Sequence, residues 1–192
     1  MPKRGKNREK KERKHDMKKM KNRIFFDMDG VLAIFNLHAT IEEVASKGYF
    51  SNCKPCQTAL LTMEYLFKNT DLDVYVLTAV FDDDHSMQEK RDWLVKYAPY
   101  LPEDHILFAI IGKQTKSEVI GEIRDSDILV DDHTPNLRSD RWHGVGVKYH
   151  NGINGKGASG GFSGYHVSVQ TEPQKLAKQL LGIAMAEGRW SA

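Results

Sequence analysis

The sequence has only two cysteines in 192 residues, Cys53 and Cys56. A disulfide framework of the kind that staples small secreted domains needs more. The pair spells Cys53-Lys54-Pro55-Cys56, a lone CxxC. A zinc site there would have to recruit distant ligands such as His38, and no thioredoxin-like βαβ context surrounds it for redox work. Two reduced cysteines at the start of a helix are therefore expected. Long apolar runs are missing as well. Nowhere do about 18 apolar residues follow one another, so no membrane-spanning helix is expected. No apolar stretch of signal-peptide type precedes Ile24, which makes the cytoplasm the expected location.

Acidic residues are scarce in one segment. Residues 1–24 hold 3 of the 26 Asp+Glu but 12 of the 28 Lys+Arg, so the overall +2 conceals a segment of +9 and a remainder of −7. Residues 1–22 have almost nothing to bury and cannot offset their ordering entropy, so a disordered tail or frayed helix is expected. That tail reads either as a solvated run or as a weak contact for nucleic acid or another polyanion. The solvated reading is preferred, because a basic run alone carries no specificity. Translation starting at Met17 or Met20 would remove most of it.

What is present centres on Ile24-Phe25-Phe26-Asp27-Met28-Asp29-Gly30-Val31-Leu32. Three large apolar residues in a row read as a strand buried on both faces, the pattern of a central parallel strand. Two carboxylates then stand where the strand stops, and Gly30 lets the chain turn away sharply. In open α/β sheets, ligands bind outside the carboxyl ends of the strands. Two acids placed there repel each other unless something positive lies between them. Magnesium is the natural candidate, since it prefers hard carboxylate oxygens and keeps positions open for water and phosphate.

Further strands are expected at 72–78, 105–111, 127–132 and 145–149, the first ending in the Thr78 hydroxyl and the third in Asp131 and Asp132. Helices are expected over 40–47, 55–68, 85–97, 116–123 and 172–186. The glycine-rich stretch 151–164 lacks P-loop spacing and reads as a surface loop after the last core strand. Alternating strands and helices indicate a doubly wound, mostly parallel α/β sheet. Residues 33–70 read as a small helical cap inserted after the first strand, within a domain spanning 23–192. Asp27/Asp29, Thr78, Lys116 and Asp131/Asp132 all fall at strand ends or the turns after them, and in a parallel sheet such ends share one edge.

In that order these residues resemble the four motifs of the haloacid-dehalogenase (HAD) superfamily of phosphohydrolases. Asp27-Met28-Asp29-Gly30-Val31 matches the first motif, Thr78 the second, Lys116 the third and Asp131-Asp132 the fourth. The chain is also similar to the 5′(3′)-deoxyribonucleotidase group, through Gly48-Tyr49-Phe50 with a downstream proline, Glu89-Lys90-Arg91-Asp92-Trp93, and Ile128 to Asp132. The similarity covers roughly residues 23–150.

The resemblance implies a magnesium-dependent phosphomonoesterase. Magnesium would be held by the Asp27 carboxylate, the Asp29 backbone carbonyl and Asp132, with Asp131 beside them or as an alternative ligand. Asp27 would attack phosphorus and form an aspartyl-phosphate, with Asp29 as general acid and then general base. Thr78 and Lys116 would hold the phosphoryl oxygens. Lys113 is close enough in sequence to compete for that role, and Lys116 is preferred because it opens the helix before the Asp131 strand. Lys90 would reach phosphate or sugar. Phe35, Tyr49 and Phe50 would stack on a nucleobase, core packing being the competing reading for Phe35 and Phe50. A small cap favours a small phosphate ester, most simply a (deoxy)nucleoside monophosphate, over a folded polymer.

Departures from the group are plain. Ala79-Val80 stands where vertebrate-type members carry Ser-Pro, and His133-Thr134-Pro135-Asn136 where they carry an arginine. A phosphatase for nucleic-acid ends or another small phosphoester, and a non-catalytic binding module on the same scaffold, are the competing readings. The oligomeric state is not legible.

Overall fold

The computed structural model describes residues 21–153 and 161–187; the basic tail over 1–20 and residues 154–160 of the glycine-rich stretch lie outside the described residues. Its first strand, β1 (Arg23–Phe26), is the one the apolar triplet demands. Ile24, Phe25 and Phe26 are all buried. Ile24 and Phe26 face the main core cluster, while Phe25 faces a smaller one with Leu77, Leu129, Leu137 and Trp142. Both faces of the sheet are therefore covered, as a central parallel strand requires.

The chain continues through β2 (Ala33–Ile34), α1 (Ile41–Val44), β3 (Lys54–Pro55), α2 (Gln57–Asn69), β4 (Asp73–Val80), α3 (Ser86–Tyr97), β5 (Ile106–Ile110), α4 (Lys116–Ile120), β6 (Ile128–Asp131), β7 (Val145–His150), β8 (Tyr165–Ser168) and α5 (Pro173–Ala186). Six strands form one sheet in the order β5-β4-β1-β6-β7-β8, every pair parallel. The chain leaves β1 toward β4 and β5, then crosses back to β6 on its other side. That reversal opens a crevice beyond the carboxyl ends of β1 and β6, where ligands of doubly wound folds bind. The acidic pairs sit at those two ends.

Local chemistry sets the shorter elements. Thr40 and Thr115 each cap a helix with a glutamate three residues on, Glu43 and Glu118, in a reciprocal capping box. The helix expected over 116–123 stops at Ile120, because Gly121 takes a positive φ of 74° and turns the chain. Strand β4 runs through Val80, so Thr78 lies two residues inside it rather than at its end.

Two expectations need correction. Tyr165–Ser168 is a sixth parallel strand on β7, so the glycine-rich stretch connects two strands of the sheet and does not follow the last one. Its residues Tyr165 and His166 are exposed, and so short an edge strand shows no apolar run. The second concerns residues 33–70. Helix α2 buries Ala59, Leu60, Met63 and Leu66, at helical spacing, in the main core beside Leu176, Leu180 and Ile183 of α5. It is the crossover helix between β1 and β4, a connection parallel strands require. Residues 33–56 before it hold the two-stranded β2–β3 ribbon and α1.

Candidate active site

Asp27 follows β1 directly and is buried, its amide still bonded to the Val130 carbonyl of β6 at 2.9 Å. Its Oδ1 accepts the Met28 N–H at 2.8 Å and lies 2.8 Å from Lys116 Nζ. The same ammonium donates to Asp131 Oδ2 at 2.6 Å. Lys116 thus ties the end of β1 to the end of β6. Burial pushes the Asp27 carboxyl up to about 8; Lys116 opposes this, while Asp131, Asp29 and Asp132 add to it. Burial alone would lower the Lys116 ammonium, but Asp131 and Asp27 outweigh it and raise its pKa. Lys113, the competing lysine, is mostly exposed and pairs with Asp82 at 2.6 Å.

Asp131 is fully buried. Besides Lys116 it accepts the His133 N–H at 2.7 Å and Asn136 Nδ2 at 2.9 Å. Asp132 accepts Asn151 Nδ2 at 2.9 Å, and the same amide donates to the Gly30 carbonyl at 3.0 Å. Gly30, at φ 78°, packs so closely on Asp132 that a Cβ there would overlap its carboxylate. Only glycine suits that position, for both reasons. Lys148, paired in register with Asp131 across β6 and β7, is buried and donates to the Asp132 carbonyl.

Asp29 is met by a different lysine. Lys90 of α3 is fully buried, and its ammonium donates to Asp29 Oδ2 at 2.5 Å, Thr78 Oγ1 at 2.9 Å and the Ala79 carbonyl at 2.5 Å. It also lies 4.4 Å from the centre of the Phe50 ring. The other oxygen of Asp29, Oδ1, is buried without a hydrogen-bond partner. The neighbouring Glu89 turns the other way and accepts the backbone N–H groups of Gly48 at 2.6 Å and Phe50 at 3.2 Å. Adjacent residues of one helix thus hold the acid after β1 and the loop over it.

Asp27, Asp131 and Asp132 each offer an oxygen, all within 4.8 Å of one another, the single such group of three found among the described residues. Buried Asp27 and Asp131, with half-buried Asp132 and Asp29 beside them, make four carboxylates against the three ammonium groups of Lys116, Lys90 and Lys148, which leaves room for further positive charge. The cluster, the unpaired Asp29 Oδ1 and the all-oxygen donor set fit a small hard dication such as magnesium. Cys53 and Cys56 stand apart as free thiols, Cys56 at the N-cap of α2.

The aromatic residues divide. Phe35 and Tyr49, ring centres 6.0 Å apart and edge to face, line a cavity of about 620 Å³ with Asn36, Asn52, Lys54 and Ile153. Phe50 does not line it; it is buried against Lys90, Tyr49 and Phe81. The sequence reading did not name Asn151 and Lys148, and it quoted Glu89 and Asn136 within motifs without giving either a role. Lys148 left one trace, a lysine inside the apolar strand run Val145 to Tyr149. The two asparagines left none, since surface turns use asparagine freely.

No family model matches the chain, and no curated protein does. Among solved structures, the chain is similar to the crystal structure of a D,D-heptose 1,7-bisphosphate phosphatase from Burkholderia thailandensis. The two are 15% identical, the match covers 84% of this chain and 99% of that one, and the TM-score is 0.54. The likeness shows the Rossmann-like α/β fold. No helix among the described residues is long and apolar enough to cross a membrane.

Proposed function

We propose that this protein is a magnesium-dependent phosphomonoesterase of the HAD type, acting through an aspartyl-phosphate on (deoxy)nucleoside monophosphates. One observation carries the reading. Asp27, buried at the switch point, shares Lys116 with Asp131 and has Asp132 within reach of the same ion, while Asp29, two residues on, is held separately by Lys90.

In this reading Asp27, Asp131 or Asp132, and the Asp29 carbonyl hold the dication, which supplies charge neutralisation for the phosphoryl oxygens. Lys116 and the Thr78 hydroxyl bind those oxygens as well. Lys90, bonded to both Thr78 and Asp29, adds a second positive charge beside them. An Asp27 oxygen attacks phosphorus in line; its bond to phosphorus forms as the bond to the substrate alkoxide breaks. Asp29 gives that alkoxide its proton. It then takes a proton from the water that attacks phosphorus and releases Asp27 and inorganic phosphate. Phe35 and Tyr49 offer a surface for a base, an interaction of roughly 1–3 kcal/mol, in a cavity of ordinary ligand size.

The test is a panel of nucleoside and sugar monophosphates with and without magnesium. Phosphate release from nucleotides, lost on chelation, is expected. Turnover confined to sugar phosphates would remove the nucleotide part; no turnover of any ester with magnesium would remove the enzymatic part.

A further inference from the structure

A second groove, of about 600 Å³, shares no lining residue with the aromatic cavity and leads to Lys116. Its inner end is Lys116, whose Nζ stands 2.8 Å from Asp27 Oδ1. A phosphoryl group at Asp27 would therefore sit at the inner end of this groove. Outward from Lys116 its walls carry Lys113, Gln114, His133, Asn136 and Arg141.

The charge there runs against that of the body, which is net −7 over residues 25–192. Three permanent cations face the groove: Lys113, Lys116 and Arg141. The one carboxylate among its lining residues, Glu118, is already committed to the Thr115 N–H at 2.7 Å and hydroxyl at 2.9 Å. Asp82 borders the outer end, where it holds Lys113 at 2.6 Å without neutralising Arg141. Gln114 and Asn136 add uncharged amide donors. Lys116 is occupied by Asp27 and Asp131, and Lys113 pairs with Asp82, so Arg141 is the principal cation for an additional anion, with Lys113 shared between it and Asp82. Cations lining a concave wall concentrate anions there, and arginine in particular suits bidentate phosphate contact.

We propose that this groove binds a second phosphate on the substrate, placed across the sugar from the ester that is hydrolysed. The class is a nucleoside bisphosphate, or the first phosphodiester of a polynucleotide end; both place phosphate oxygens and negative charge at that position. The inference rests on the phosphomonoesterase reading and narrows its substrate. Arg141 and Lys113 are the specificity-determining residues. Both side chains are exposed, and what α4 takes from Arg141 is its backbone carbonyl, bonded to the Ser117 hydroxyl, so Arg141→Gln and Lys113→Gln keep the fold.

The experiment compares adenosine 3′,5′-bisphosphate, adenosine 5′-monophosphate and a 5′-phosphorylated dinucleotide, using the full chain with magnesium. Wild type should prefer at least one two-phosphate substrate about tenfold in kcat/KM, chiefly through KM. The doubly substituted protein should lose most of that ratio, and raised salt should shrink it. A preference for both substrates assigns polynucleotide ends; a preference for the bisphosphate alone assigns a small molecule. A wild-type ratio near one in both arms, or a ratio the double substitution leaves unchanged, overturns the proposal. Equilibrium binding to full-length Asp27→Asn separates this from failure of the enzymatic reading. There the bisphosphate should bind about tenfold tighter than the monophosphate, and adding Arg141→Gln with Lys113→Gln should abolish the difference, whether or not wild type turns over any ester.

Discussion

At the end of β1, Asp27 and Asp29 stand one residue apart, and each is met by its own lysine, Lys116 at 2.8 Å and Lys90 at 2.5 Å. At the end of β6, Asp131 and Asp132 are adjacent and are held largely by uncharged donors: the His133 amide and the side chains of Asn136 and Asn151. Lys116 is the lysine that serves both ends, and Asn151 bridges them with its amide. The two pairs look alike in sequence and differ in what fixes them. Amide donors set a carboxylate's direction and keep it charged; a lysine does so too, but leaves a charge imbalance when either partner is engaged elsewhere.

The strongest way to break this contrast is at Asp27. Asp27→Asn should lower kcat by about three orders of magnitude or more while leaving the melting temperature nearly unchanged, because a nucleophile is lost and its hydrogen bonds are kept. Activity in the variant near that of wild type would end the covalent reading. Removing the shared cation tests the other side of the comparison. Lys116→Met leaves buried carboxylates at both strand ends uncompensated, and should cost about 3–5 kcal/mol in urea unfolding without magnesium. Added magnesium should restore part of it. An unchanged midpoint would show that Lys116 does not join the two ends.

Asn151→Ala probes the β6 end through Asp132. It removes the donor that points Asp132 at Gly30, and should raise the magnesium concentration for half-maximal activity about 10–100-fold, the usual effect of losing a partner that orients a metal ligand. Equal magnesium dependence in both proteins would place Asp132 outside the ion's shell. A smaller effect lies on α3. Glu89→Ala leaves the Gly48 and Phe50 amides without their acceptor, and should destabilise by about 1–3 kcal/mol with faster amide exchange at those two positions.

The mildest readout is Cys53. Burial pushes its thiol up to about 11; Asp29 adds to the rise and Lys90 opposes it. A raised pKa means less thiolate, so alkylation at pH 8 should run about 100-fold slower than at an unperturbed cysteine and climb about tenfold per pH unit up to about 11. Asp29→Asn should speed labelling by a factor of a few and Lys90→Met should slow it. Rates that ignore both substitutions would show that the β1-side pair does not reach the loop above it.

Much of this was legible beforehand because its cause is local. Three apolar residues at 24–26 specify a doubly covered strand, and a glycine after two acids specifies a turn. Apolar Leu60, Leu61, Met63, Leu66 and Phe67 indicate a helix whatever it packs on. The edge strand β8 was not legible: four residues, two of them exposed, carry no period. Nor was the fate of Lys90. The resemblance aimed it at substrate phosphate or sugar, and only the fold puts Asp29, Thr78 and the Ala79 carbonyl around it.

The sequence by itself determined that acids end two apolar strands, that a helix opens with Lys116 before the second of them, and that the sheet alternates with helices. Those follow from side-chain period and backbone preference within a few residues. Only the tertiary structure decided that Lys116 bridges the two strand ends, that Lys90 rather than solvent faces Asp29, that Phe50 packs inward while Tyr49 lines the cavity, and that Arg141 comes to lie along the groove leading to Asp27. Each of those depends on strand order and helix placement across tens of residues, where the winning partner is set by which groups the chain reversal between β5 and β6 brings into one crevice.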